Sequence, residues 1–194
     1  MLYVEAYKNR FKLPEDSIVI DTTSRSGSWT RGFSPFILQA GHLYGNYYAK
    51  SVENAYQASK CYSQFVDDEN NPTDEYFKWA QKIWSSSYVY RYPMGRGAKP
   101  LFSYWDGQKL DYVEARKKIY IPLYSRAVLK SDAFKKLLNI YRETEKDIYL
   151  VDFDGYNHKE KGMTLSDVAN NTKKSMGHAF VIYDLLQRQK NTTE

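Results

Sequence analysis

The sequence is short of cysteine: its 194 residues hold one, Cys61. That excludes an internal disulfide and any zinc site built on cysteines, and it suits a reducing compartment with a buried thiol. Long apolar runs are also missing. No stretch approaches about eighteen consecutive apolar residues, so no membrane-spanning helix is expected. The start, Met1-Leu2-Tyr3-Val4-Glu5, lacks the basic-then-apolar order of a signal peptide, and no internal repeat is evident. The expectation is a soluble, cytoplasmic protein with no membrane partner.

What is present is a globular composition: 42% hydrophobic and 26% charged residues, enough for one domain over residues 1–194 with a real core. Aromatics are abundant, with 19 Tyr, 9 Phe and 4 Trp. Such side chains fill a core while keeping a polar edge, and they also stack on bases or rings. The net charge of +5 is unevenly spread: residues 91–130 hold nine Lys or Arg against three Asp or Glu. A segment of that kind can serve phosphate-bearing ligands or nucleic acid, or simply be a solvated face. Residues 67–75 form an acidic loop running into a helix start that Thr73 can cap.

Hydrophobic patterning predicts an α+β fold, predominantly helical, with helices packed around a small β-sheet. Strands are expected at 17–23, where β-branched residues concentrate, and at 148–154. Helices are expected at 51–65, at 73–86 with Phe77, Ala80, Ile83 and Trp84 as core face, at 108–130 with a kink or break at Pro122, in a segment capped by Ser131 with Phe134, Leu137, Leu138 and Tyr141 inward, and at 175–189. Residues 191–194 read as a frayed tail.

The densest chemistry lies at Ser51-Val52-Glu53-Asn54-Ala55-Tyr56-Gln57-Ala58-Ser59-Lys60. Ser51 is a plausible N-cap, and Glu53 sits in the first turn, where the helix dipole favours an anion. Helical spacing puts Glu53, Tyr56, Gln57 and Lys60 on one face. The plain alternative is an amphipathic helix with a solvated Lys60. Further on, Met94-Gly95-Arg96-Gly97-Ala98-Lys99-Pro100-Leu101 sets two cations among glycines that let backbone approach a ligand, and Trp105 follows. The expected strand ending Asp152-Phe153-Asp154 carries carboxylates beside a turn, placed for chemistry or for capping the turn.

Taken together, the order and spacing of these motifs resemble the NADAR family, also called YbiA-like, of small N-glycosidases acting on N-linked ribose and ADP-ribose. The likeness runs over residues 33–188. It is carried by Phe33-Ser34-Pro35-Phe36, by the Ser51–Lys60 run, by Met94-Gly95-Arg96-Gly97-Ala98-Lys99-Pro100-Leu101 with Trp105 at the matching distance, by Leu150-Val151-Asp152-Phe153-Asp154, and by Met176-Gly177-His178-Ala179-Phe180-Val181. The chain departs at Pro35 and Lys174, where the family has Asn, and at Asp152, where it has Glu; residues 155–175 match no motif.

The resemblance implies hydrolysis of an N-ribosyl bond through an oxocarbenium-like state. Glu53 would be the carboxylate nearest the ribose, Trp105 would stack on the base or line the ribose pocket, and Asp152 or Asp154 would orient water. Lys60, Arg96 and Lys99 would bind phosphate oxygens with help from the Gly95 amide, and Gln57 would contact substrate. No metal or cofactor is implied. The implied substrates are ADP-ribosyl-guanine in DNA or a ribosylated nucleotide, including pyrimidine phosphates of riboflavin-pathway type. A non-catalytic module binding ADP-ribose or nucleotides is the rival reading, and a plain binder of single-stranded nucleic acid a third.

Overall fold

The structure, a computed structural model, describes residues 1–191, with side chains through 189. In chain order they form β1 (Leu2–Ala6), β2 (Ile18–Asp21), β3 (Gly41–His42), β4 (Tyr48–Ala49), α1 (Val52–Gln57), β5 (Lys60–Cys61), α2 (Asp74–Ser85), β6 (Phe102–Trp105), β7 (Gln108–Leu110), α3 (Tyr112–Ala115), α4 (Ile121–Val128), α5 (Asp132–Glu143), β8 (Ile148–Asp152), α6 (Leu165–Asn170) and α7 (His178–Asn191). The chain is α+β, with helix predominating and the strands gathered in small sheets. Among the described residues, 1–34 and 128–191 make one compact unit, and residues 35–127 make a second.

The first unit is built on a parallel sheet in the order β1-β8-β2. Leu2 and Ile18 both lie opposite Ile148, and Ala6 lies opposite Asp152. Leu2, Val4, Ile20, Ile148, Leu150 and Val151 are buried, and α7 covers β1 and β8 with Ala179, Phe180, Ile182 and Leu186. β8 ends at Asp152, two residues short of the expected strand, because the amide of Gly155 turns back to the carbonyl of Asp152 at 3.1 Å. The last helix begins at His178 rather than 175, and α6 was not expected at all. Thr164 and Asp167 cap α6 reciprocally, each side chain accepting from the other's amide. In α5 the Ser131 hydroxyl accepts from the Phe134 amide at 3.1 Å as expected, with Phe134 and Leu137 buried and Leu138 and Tyr141 half-buried. Of the tail expected at 191–194, residues 192–194 lie outside the described residues.

The second unit holds the antiparallel sheet β5-β6-β7, the β3-β4 pair and α1 to α3. Ser51 caps α1 as expected, accepting from the Asn54 amide at 3.1 Å. The helix stops at Gln57, however, not at 65. The carbonyls just past its end are held by a tertiary partner: the Tyr76 hydroxyl reaches those of Ala58 and Ser59, at 3.0 and 3.1 Å, and the chain then turns into β5. α2 matches its expected span, but its buried face is Tyr76, Ala80, Ile83 and Trp84; the expected Phe77 is only half-buried, and the neighbouring Tyr76 takes the core position. Thr73 occupies its N-cap position, but no side-chain cap bond forms; its hydroxyl is turned to the Phe65 carbonyl, to which it donates at 3.2 Å. The helix expected from 108 begins instead as β7, then runs through α3 and a widened π turn at Arg116–Tyr120 into α4. The π turn ends just before Pro122, where the Ile121 amide reaches back five residues to Arg116. That widening gives a proline ring room inside a helix.

Asn54 ties the unit together. It is fully buried; its side-chain amide donates to the carbonyls of Ile83, Ser86 and Tyr88 at 3.0, 3.4 and 2.8 Å, and its oxygen accepts from the Tyr90 amide at 2.9 Å. Asn54→Ala should lower stability by about 3 kcal/mol, the cost of stranding several backbone groups at once. In urea unfolding the midpoint should fall while the slope stays constant.

Candidate active site

Glu53 stands in the first turn of α1, with its amide donating to the Pro35 carbonyl at 3.0 Å. The residue is only 8% exposed. Its carboxylate accepts from the Gln57 side-chain amide at 3.0 Å, and the Gln57 oxygen in turn accepts from the Lys60 ammonium at 2.8 Å. Three side chains expected on one helical face are thus joined, although Lys60 is reached from β5 and not from the helix. The Lys60 ammonium lies 4.9 Å from the centre of the Tyr56 ring.

In this cluster Glu53 is buried and Tyr56, Gln57 and Lys60 are half-buried. Burial pushes the Lys60 pKa down, against the attraction of Glu53, which pulls it up. Burial, followed by the negative potential of Tyr112, pushes the Tyr56 phenol well up, while Arg116 pulls it down. Arg116 was not singled out by sequence, where it was one of nine cations in a basic segment. It is 3% exposed, with its guanidinium 4.7 Å from the centre of the Tyr112 ring. Its neighbours Lys117 and Lys118 are exposed.

A lysine whose folded pKa lies below its unfolded value binds fewer protons when folded, so folding gains stability as pH rises through that window. The stability of the wild type relative to Lys60→Met should therefore move in favour of the wild type as pH climbs toward the ordinary lysine value. Paired urea titrations across the alkaline range measure it. A flat difference would mean that Lys60 is not desolvated.

Trp105 ends β6. The register opposes Lys60 to Ser103, so Lys60, Ser103 and Trp105 share one face of this sheet. Trp105 meets the Tyr44 ring edge-on at 4.8 Å, and the Tyr44 hydroxyl is buried with no hydrogen-bond partner among the described residues. Burial pushes the pKa of that phenol up. Gly95 and Gly97 have left-handed backbones, φ 92° and 86°, in a turn whose Arg96 and Lys99 are exposed. The Arg96 guanidinium lies 5.6 Å from the Tyr92 ring centre.

Asp152 and Asp154 belong to the other compact unit, and their surroundings differ. Asp152 is 3% exposed; it accepts from the Ala179 amide at 3.2 Å and lies 3.4 Å from Nδ1 of His178. The other ring nitrogen of His178, Nε2, lies 2.6 Å from the Thr22 carbonyl, which can only accept, so Nε2 donates there. The sequence marks His178 only as part of a terminal motif. Asp154 is exposed in the turn after β8 and lines an open cavity of about 790 Å³ with Tyr7, Arg10, Phe153, Lys161 and Lys174.

The model of a family of unknown function, DUF6939, matches residues 4–182. The chain belongs to this family. The match runs from β1 into α7 and so takes in both compact units. No curated protein and no solved structure matches the chain. DUF6939 brings no assigned activity with it. Among the described residues no group of His, Cys, Asp and Glu is placed to hold a metal ion, and no helix is long and apolar enough to cross a membrane. Cys61 is buried, its thiol pushed up to about 11 by burial.

Proposed function

We propose that the protein is an N-glycosidase that hydrolyses the bond between ribose and a nucleobase, with ADP-ribose carried on a base, such as guanine in DNA, as the substrate class. The observation that carries this reading is the buried Glu53 carboxylate at the start of α1, linked through Gln57 to the Lys60 ammonium. An anion held at a helix start, out of water, is suited to a transition state that develops positive charge at an anomeric carbon.

In the proposed reaction the C1′–N bond breaks with its electron pair going to the base nitrogen, and the oxygen of a water molecule bonds to C1′. Glu53 stabilises the oxocarbenium-like centre and accepts the proton that the water gives up. That proton then leaves with the base, so the carboxylate is regenerated and no metal or redox group enters the balance. Lys60, with Arg96 and Lys99 as candidates beyond it, supplies positive charge for phosphate oxygens. Trp105 offers a ring to a base, and the unpartnered Tyr44 hydroxyl beside it is a group that a ligand can satisfy.

The test is incubation of the purified protein with an oligonucleotide ADP-ribosylated on guanine and, separately, with ribosylated pyrimidine phosphates, reading products by mass spectrometry. Release of ADP-ribose or of a free base is the expected result. Binding of these compounds with no release from any of them would replace the enzyme by a binding module.

A further inference from the structure

Between Glu75 and Asp106 the chain has no acidic residue, while it carries Lys78, Lys82, Arg91, Arg96 and Lys99. In the same stretch, side chains that would normally be buried face solvent: Tyr88 is 69% exposed, Tyr92 48% and Leu101 51%. The cations stand beside the rings. Arg91 and Arg96 each place a guanidinium 5.6 Å from the centre of the Tyr92 ring, and Tyr88 meets Tyr90 edge-on at 4.8 Å.

The backbone that presents these rings is tied down from beneath. Asn54 holds the carbonyls of Ser86 and Tyr88 and the amide of Tyr90, and the turn beyond is closed by the Gly95 amide on the Tyr92 carbonyl at 3.1 Å. The rings are therefore displayed by an ordered loop, which lowers the entropy cost of using them. Lone exposed tyrosines are ordinary, but two exposed rings with flanking guanidinium groups in an acid-free stretch match the chemistry of unpaired bases on a phosphate backbone.

We propose that the loop from Tyr88 to Lys99 is a docking surface for single-stranded nucleic acid, with Tyr88 and Tyr92 stacking on bases and Arg91, Arg96 and Lys99 contacting phosphates. The surface favours nucleic acid over an anionic membrane because its exposed groups are chiefly phenol rings paired with planar guanidinium groups, not aliphatic side chains that would enter acyl chains. It does not depend on the glycosidase reading, since binding is measured without turnover.

The experiment is fluorescence anisotropy of the full chain with a labelled twelve-nucleotide oligothymidine, the matching duplex, and vesicles containing phosphatidylserine. The single strand should bind more tightly than the duplex or the vesicles. Tyr88→Ala with Tyr92→Ala should weaken it by roughly 30-fold or more, and Arg91→Gln with Arg96→Gln should flatten the salt dependence by about 1.4 in the log–log slope. All four side chains are exposed, and circular dichroism of each variant checks that the fold is kept. No binding of the single strand, binding indifferent to both double variants, or preference for vesicles would each overturn the proposal.

Discussion

Gly155→Ala should destabilise the protein by about 3 kcal/mol or more, lowering the melting temperature by roughly 6–12 °C for a chain of this size. The reason is steric and local. A β-carbon at 155 would lie 2.4 Å from the carbonyl oxygen of Glu5 and 3.2 Å from that of Asp152, and both are main-chain atoms of the paired strands β1 and β8. The backbone of Gly155 is not in the left-handed region, so any residue could adopt it in open space. Nearby, the carboxylate of Glu5 accepts from the Ala6 amide and from Asn9 at 2.7 and 2.9 Å, which fixes the end of β1 further. Relief therefore requires the two strand ends to part, which weakens the pairing of Ala6 with Asp152 and with it the setting of His178. Differential scanning calorimetry measures the effect. An unchanged melting temperature would show that the turn after β8 can swing clear of β1 at little cost.

How much of this could be read in advance differs from residue to residue. α5 was legible because its signals are local: a capping serine at 131 and apolar residues at helical spacing. The cap of α1 by Ser51 was legible for the same reason, and so was the helical spacing that set Glu53 and Gln57 on one face. The end of α1 was not. It depends on the Tyr76 hydroxyl, contributed by a helix that begins more than fifteen residues later in the chain. β3, β4 and β5 are two residues long and show no periodicity to detect. β1 alternates buried and half-buried residues in its first three positions, but its pairing with β8 spans nearly the whole sequence. Arg116 and Asn54 were hidden differently: each belongs to a type usually found at the surface, and burial alone gives them their weight.

Glu53→Gln carries the largest expected effect on activity. The substitution keeps the shape of the side chain and leaves an oxygen to accept from the Gln57 amide, so α1 and its Ser51 cap should be undisturbed. What it removes is the negative charge. In the proposed reaction that charge acts chiefly in the transition state, so its loss should fall on the chemical step and not on ground-state binding. The expected drop is roughly a thousandfold, about 4 kcal/mol of barrier. Lys60 would lose its nearest identified counter-charge, and its pKa should fall further, since the attraction of Glu53 is what opposes desolvation there.

The deciding measurement is therefore single-turnover release from an oligonucleotide ADP-ribosylated on guanine, run beside equilibrium binding of the same oligonucleotide, for the wild type and for Glu53→Gln. Release by the wild type that falls about a thousandfold in the variant, with affinity unchanged within about threefold, is the predicted result. Equal release by both proteins would contradict the assignment of Glu53, and binding without release by the wild type would contradict the enzyme altogether.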